Sequence, residues 1–368
     1  MKIALAIFQL EAMGGKERDC LAIAAHLIQR GHDVSLVTTR ARDLAFPITV
    51  LPAKGMSNHG RARAFADAVI AWHKREAPHL LLSFERVPGA DFYYAADDTV
   101  AARMAGAKRF LPRGRTYLQL ERGVFDNPHA RFFFLTDTQR ARYAAHYDFD
   151  PARGIVLPVI LHEERYIALR TAAERDATRR EIGLPQDAVA ALAVAVKPKQ
   201  KGLDRSFAAL AHFEHLHLVS VGSTEPWIMR EAAALKIENR VHVLPYGTNV
   251  MSLMRACDFL LHPARAEAAG QVIVESLLAG RPAIVSGLCG YAGAVASSGA
   301  GIVLREPFDP QELSTAIATM LAQRDTMTAA AATKAEHLHA ERGRWLTVIA
   351  DALERAGAAQ RVPQALQP

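Results

Sequence analysis

The stretch His262-Pro263-Ala264-Arg265-Ala266-Glu267-Ala268-Ala269-Gly270-Gln271-Val272-Ile273-Val274-Glu275 holds two carboxylates with seven residues between them. A strand should end near Leu261 and a helix should begin near Gly270, which leaves Glu267 in the loop between them. Ligands of open α/β sheets bind at the carboxyl ends of the strands. The small residues Ala268, Ala269 and Gly270 leave their N–H groups approachable, and a helix N-terminus favours an anion there. Glu275 falls within Val272-Ile273-Val274-Glu275-Ser276-Leu277-Leu278, which is apolar on most sides. A buried carboxylate needs partners. Two adjacent ribose hydroxyls would supply two donors; a nearby arginine, or an exposed face, would also answer the need.

Lys197-Pro198-Lys199-Gln200-Lys201-Gly202-Leu203-Asp204 directly follows an apolar strand ending at Val196. Cations in such a loop suit a diphosphate leaving group. A solvated charged turn is the ordinary alternative.

The elements that must position these residues alternate strand and helix. Ile3–Phe8, Val34–Thr38, Leu80–Phe84, Phe92–Ala96 and Arg131–Leu135 read as strands, with helices over Lys16–Arg30 and Ala64–Arg75. The rhythm breaks near Pro158, and charge-rich Glu163–Ile182 reads as a helix or connector. It restarts with strands at Val189–Val196, Leu216–Val221, Val241–Leu244, Phe259–Leu261 and Ala283–Val285. The helices between and after them are Leu203–Phe213, Pro226–Leu235, Val250–Ala256, Gln271–Ala279 and Pro310–Ala322. This pattern predicts α/β architecture with two doubly wound, Rossmann-like domains, 1–160 and 161–339. A last helix near Arg344–Ala356, within 340–368, could pack back on the first domain, and Gln360–Pro368 should fray.

A chain of 368 residues with 50% hydrophobic and 22% charged residues is ordinary globular material long enough for two cores. No apolar run approaches the roughly 20 residues that span a bilayer. The opening Met1–Phe8 reads as a buried strand rather than a signal peptide, because Gly14-Gly15 and an amphipathic segment follow it. Cys20, Cys257 and Cys289 are odd in number and far apart, which points to a reducing compartment, the cytoplasm, without disulfides. The net charge of +6 suits nucleic acid, anionic lipid or phosphorylated substrates.

Glu267 and Glu275, with their spacing, resemble the signature of retaining glycosyltransferases of the GT-B fold, family 4. Gly14-Gly15 with Arg18-Asp19, Ala95-Ala96-Asp97, Leu135-Thr136-Asp137, Lys201-Gly202-Leu203-Asp204-Arg205-Ser206, Leu261-His262-Pro263 and Cys289-Gly290-Tyr291 extend the resemblance in order along the chain, toward enzymes that glucosylate the lipopolysaccharide core. The resemblance implies two domains facing across a cleft and transfer of a hexose, glucose from UDP-glucose, onto an inner-core heptose or similar glycan. It implies that Glu267 bonds sugar hydroxyls beside the Ala269 and Gly270 amides, that Glu275 holds the ribose, and that Lys201 binds the diphosphate with help from Arg165. Gly15 would let the first loop approach the phosphates, and Asp19 and Asp97 would face the acceptor. The family often has Arg-Lys-Gly where this chain reads Gln200-Lys201-Gly202, and Lys197 or Lys199 is placed to compensate.

Retaining transfer needs stabilisation of negative charge on the β-phosphate and alignment of the acceptor. Lys201, Glu267 and Asp97 are therefore the expected catalytic residues, with Asp97 or the leaving phosphate as base. Asp97 could equally cap a helix over Thr99–Ala105. Neither a metal nor a cofactor beyond the nucleotide sugar is expected. Asp148-Phe149-Asp150 has metal-ligand spacing but precedes Pro151 in a turn, and His215/His217 and His337/His339 lack a third ligand. Arg103, Lys108, Arg109, Arg113, Arg115 and Arg122 are interleaved with Phe110, Leu111, Tyr117, Leu118 and Phe125, against Glu121 alone. Such a stretch suits an anionic membrane surface, a phosphorylated oligosaccharide or a solvated flank, and the resemblance to enzymes with lipid-linked acceptors favours the membrane. Tyr246-Gly247 is a candidate contact for the base. Rival functions are a nucleotide-sugar epimerase on the same fold and a non-catalytic nucleic-acid binder, the latter without a recognised motif.

Overall fold

The computed structural model describes residues 1–361 apart from Ala105 and Ala172; of the segment expected to fray, 362–368 lie outside the described residues. The chain divides into two units. The first is Met1–Pro158 joined by the segment from Arg344 onward, and the second is Val159–Gly343.

In the first unit the strands are β1 (Lys2–Ala6), β2 (Asp33–Thr38), β3 (Ile48–Val50), β4 (Leu80–Ser83), β5 (Phe92–Ala95), β6 (Arg131–Phe134) and β7 (Gly154–Val156). They form one parallel sheet in the order β3-β2-β1-β4-β5-β6-β7, so the order reverses between β1 and β4. Helices α1 (Gly15–Gln29), α2 (Asn58–Glu76), α3 (Val100–Arg103), α4 (Pro112–Phe125) and α5 (Asp137–Ala144) connect them. α2 starts earlier than its apolar stripe indicates, because Ser57 Oγ accepts the Gly60 N–H at 3.1 Å and opens the helix there. α3 is shorter than expected and is capped by Thr99, not Asp97. The sheet packs on an aromatic cluster in which Phe125 stacks on Phe132, Tyr143 and Tyr147.

In the second unit the charge-rich stretch read as a helix or connector forms two short helices, α6 (Glu163–Arg170) and α7 (Arg175–Glu181). There follow β8 (Val189–Val194), α8 (Leu203–Leu210), β9 (Leu216–Val221), α9 (Pro226–Ala234), β10 (Val241–Leu244), α10 (Val250–Ala256) and β11 (Phe259–His262). The series continues through α11 (Gln271–Leu278), β12 (Ala283–Ser286), α12 (Ala292–Ser298), β13 (Gly301–Leu304), α13 (Pro310–Ala322) and α14 (Arg324–Ala340). This parallel sheet runs β10-β9-β8-β11-β12-β13 and reverses between β8 and β11. The last helix, α15 (Arg344–Arg361), belongs to the first unit. It buries Trp345, Ile349 and Leu353, and Asp351 and Glu354 bond Arg30 at the end of α1 at 2.8 and 2.7 Å.

Candidate active site

The loops after β8 and β11 leave adjacent strands at the point where the second sheet reverses, the place where open α/β sheets collect ligands. Gly202 lets these loops touch. Its φ is +75°, and a Cβ there would collide with the Pro263 carbonyl oxygen. Gln200 ties them further: its carbonyl accepts the Arg265 N–H at 2.8 Å, and its side-chain amide donates to the Ala266 carbonyl at 3.2 Å. Arg265 holds Asp204 with two bonds of 2.6 and 2.7 Å.

This clamp brings the Lys201 ammonium into an ion pair with the Glu267 carboxylate. Buried His262 places Nε2 at 3.3 Å from the same carboxylate oxygen. Burial by itself would push the Glu267 carboxyl up. The hydrogen bond to His262 and the charge of Lys201 outweigh it and hold the pKa down to about 2. Glu267 is thus an ionised, oriented acceptor at neutral pH.

Gly270, at φ +84°, caps α11, and a Cβ there would press within 2.9 Å of Ile273 Cδ1 and 3.3 Å of Glu267 Cγ. The carbonyls of Ala268 and Ala269 accept the N–H groups of Gly290 and Tyr291 at 3.1 and 2.8 Å, which anchors the turn to the Cys289-Gly290-Tyr291 segment. At the start of α11 the Ile273 N–H donates to the Gly270 carbonyl at 2.9 Å, and the N–H groups before it carry the positive end of the helix dipole. Glu275 is buried on α11 and meets Arg165 of α6, Nε to Oε1 at 2.8 Å. The arginine that could answer a buried carboxylate is therefore Arg165 itself.

In the first unit, Gly15 is the exposed first residue of α1, and a Cβ there would meet nothing within 4 Å. Asp19, one turn on, is buried and accepts the Tyr94 hydroxyl at 2.7 Å. Asp97 is exposed just past β5, and its backbone carbonyl accepts from Gln139 Nε2 at 2.9 Å and the Tyr143 hydroxyl at 3.2 Å. Its backbone is fixed while its carboxylate reaches solvent.

The family described as Glycosyl transferases group 1 matches residues 174–337. Lipopolysaccharide glucosyltransferase WaaG of Escherichia coli (strain K12) is 33% identical over 341 residues, which cover 88% of this chain and 90% of that protein. The chain belongs to the group 1 glycosyltransferases. The crystal structure of WaaG, a glycosyltransferase involved in lipopolysaccharide biosynthesis, superposes with a TM-score of 0.82 at 30% identity, covering 95% of this chain and 99% of that one. Anabaena Alr3699/HepE in complex with UDP-glucose shares the fold, with a TM-score of 0.70 at 17% identity over 98% and 100% of the two chains.

This group 1 glycosyltransferase is a hexosyltransferase of GT-B fold, and the relatives lend no support to an epimerase. Two residues beyond the expected set shape the candidate site. His262 orients Glu267, and its only signal in the sequence is its place at a strand end before Pro263. Gln200, which stands where the family often carries a cation, acts as a bridge between loops. Of the two neighbouring lysines, Lys199 lies over the Trp227 ring at 5.2 Å and Lys197 is exposed. Asp150 caps a turn by accepting the Ala152 N–H at 2.9 Å.

The basic 103–125 stretch requires two corrections. Phe125 is a core residue, and Glu121 is buried, holding Arg86 at 2.8 Å and the Tyr147 hydroxyl at 2.7 Å. Phe110 and Leu111 are the apolar side chains that remain exposed, at 72% and 58%. Among the described residues, no helix is long and apolar enough to cross a membrane.

Proposed function

We propose that this hexosyltransferase moves glucose from UDP-glucose, with retention, onto a heptose of the lipopolysaccharide inner core or a similar glycan. The observation that carries the reading is the Lys201–Glu267 pair at the β8/β11 reversal, beside the Gly270 turn. The glucosyltransferase named among its relatives supports the acceptor class, and the UDP-glucose complex of the Anabaena protein supports the donor.

On this reading the donor diphosphate draws Lys201 from Glu267. The lysine then offsets negative charge growing on the β-phosphate, helped by Arg165 and the amide at Gly15. Glu267, released from the lysine and still oriented by His262, accepts from sugar hydroxyls beside the Ala269 and Gly270 amides. Glu275 accepts from the ribose. Asp97 and Asp19 serve the acceptor, with Asp97 or the leaving phosphate taking its proton. Phe110, Leu111 and the surrounding cations rest on anionic lipid at the cytoplasmic face of the membrane, where a lipid-linked acceptor is found.

A thermal-shift screen across UDP-, GDP- and ADP-sugars tests the donor. UDP-glucose should raise Tm most. Lys201→Ala should cancel that shift and remove most transfer to a heptose acceptor, in a protein that stays folded at assay temperature but melts lower, because Glu267 loses its cation. Near-wild-type turnover in the variant removes the lysine from the mechanism, and a larger shift with another nucleotide sugar replaces the donor.

A further inference from the structure

The first unit carries a second lysine–glutamate pair at the corresponding place in its own sheet. Lys16 lies in the first turn of α1, after β1, and Glu85 lies just past β4. β1 and β4 are the adjacent strands at which that sheet reverses, as β8 and β11 are in the second. The Lys16 ammonium and the Glu85 carboxylate are in direct contact, with the two side chains 24% and 23% exposed. Both sheets thus place a lysine after one strand of the reversal and a glutamate after its neighbour, where ligands of such sheets bind.

The pair is held for use. The Ser83 hydroxyl donates to the Glu85 carbonyl at 2.8 Å and accepts the Glu85 N–H at 3.1 Å, which fixes the loop. Glu85 Oε1 takes both Lys16 and the Phe8 N–H, the latter at 3.3 Å. Its second oxygen, Oε2, is a further acceptor on a side chain that is 23% exposed. An ammonium has three donors and Lys16 gives one to Glu85, so two remain. Partly exposed ion pairs contribute little to stability. The pair presents one fixed acceptor next to two donors, and the charges of Asp97 and Glu17 add a negative field at Lys16. An anion approaching Lys16 meets Glu85, whereas adjacent hydroxyls fit: one donates to Oε2 and its neighbour accepts from the ammonium.

We infer that Lys16 and Glu85 bind a pair of adjacent neutral hydroxyls on the glycan acceptor and so help determine which acceptor is glycosylated. The inference rests on the proposed acceptor role of the first unit.

Steady-state kinetics on Glu85→Gln and Lys16→Met test it, with a series of monodeoxy heptose acceptors. Each variant should raise the acceptor KM by about tenfold and leave the donor KM at its wild-type value. On the analogue lacking the bonded hydroxyl, wild type and Glu85→Gln should converge. An unchanged acceptor KM, a donor KM that rises with it, or an equal loss on every deoxy analogue overturns the inference. Lys16→Met gives the same readout if Glu85→Gln is poorly folded. If the wild-type enzyme does not glycosylate heptose, the heptose reading falls, and the same comparison is made with the deoxy series of the glycan it does glycosylate.

Discussion

Glu267 shows how one side chain can be ordinary in sequence and unusual in place. Its carboxyl titrates at about 2 instead of the usual 4.5, because His262 and Lys201 more than offset the cost of burial. A carboxyl whose pKa is depressed on folding stabilises the folded state above its unfolded pKa and loses that contribution as pH falls. The folded second unit should therefore lose on the order of 2–3 kcal/mol between about pH 4.5 and pH 2 through this residue. Urea unfolding of wild type and Glu267→Gln at about pH 7 and about pH 3 measures it. The stability difference between the two proteins should shrink at the lower pH, and a difference independent of pH contradicts the assignment. Lys16 shows the same balance in the first unit: burial lowers its pKa, and the charges of Glu85 and Asp97 reverse the direction.

At the scale of elements, the geometry of the candidate site depends on two loops that touch because one residue lacks a side chain. Gly202 combines a left-handed φ with a contact against the Pro263 carbonyl. Gly202→Ala must both strain the backbone and separate the loops, at a cost of about 1–3 kcal/mol. Its Tm should fall, and any Tm shift produced by the donor should fall with it, since Lys201 no longer reaches Glu267. A variant with normal donor-induced stabilisation shows that the loop contact is dispensable. α14 teaches the opposite lesson. Its sequence Arg324–Ala340 is rich in alanine and buries just Met327, Ala331 and Leu338, so no broad apolar stripe announced it. Strands β3 and β7, of three residues each, were too short to stand out, and β13 opens on Gly301 and buries only Leu304.

At the scale of the molecule, the exposed Phe110 and Leu111 lie among Arg103, Lys108, Arg109, Arg113 and Arg115, all of them exposed. Phe110→Ser with Leu111→Ser should abolish co-sedimentation with vesicles containing anionic lipid while Tm stays unchanged, because neither side chain supports the core. Equal and negligible binding of the wild-type protein to anionic and neutral vesicles rejects the membrane surface. The sequence by itself determined the parallel α/β class, most of the longer strands and helices and the glutamate spacing, because these reside in local hydrophobic period and in order along the chain. Only the tertiary structure decided which charges meet. Lys201 and Glu267, Arg165 and Glu275, and Lys16 and Glu85 are each 66 or more residues apart. They meet because strand order reverses in each sheet, or because side chains of two helices reach each other, and no local pattern encodes those neighbours. The same holds for Phe125 and Glu121, which share a basic stretch with Phe110 yet are buried, since the helix they lie on turns one face to an aromatic core.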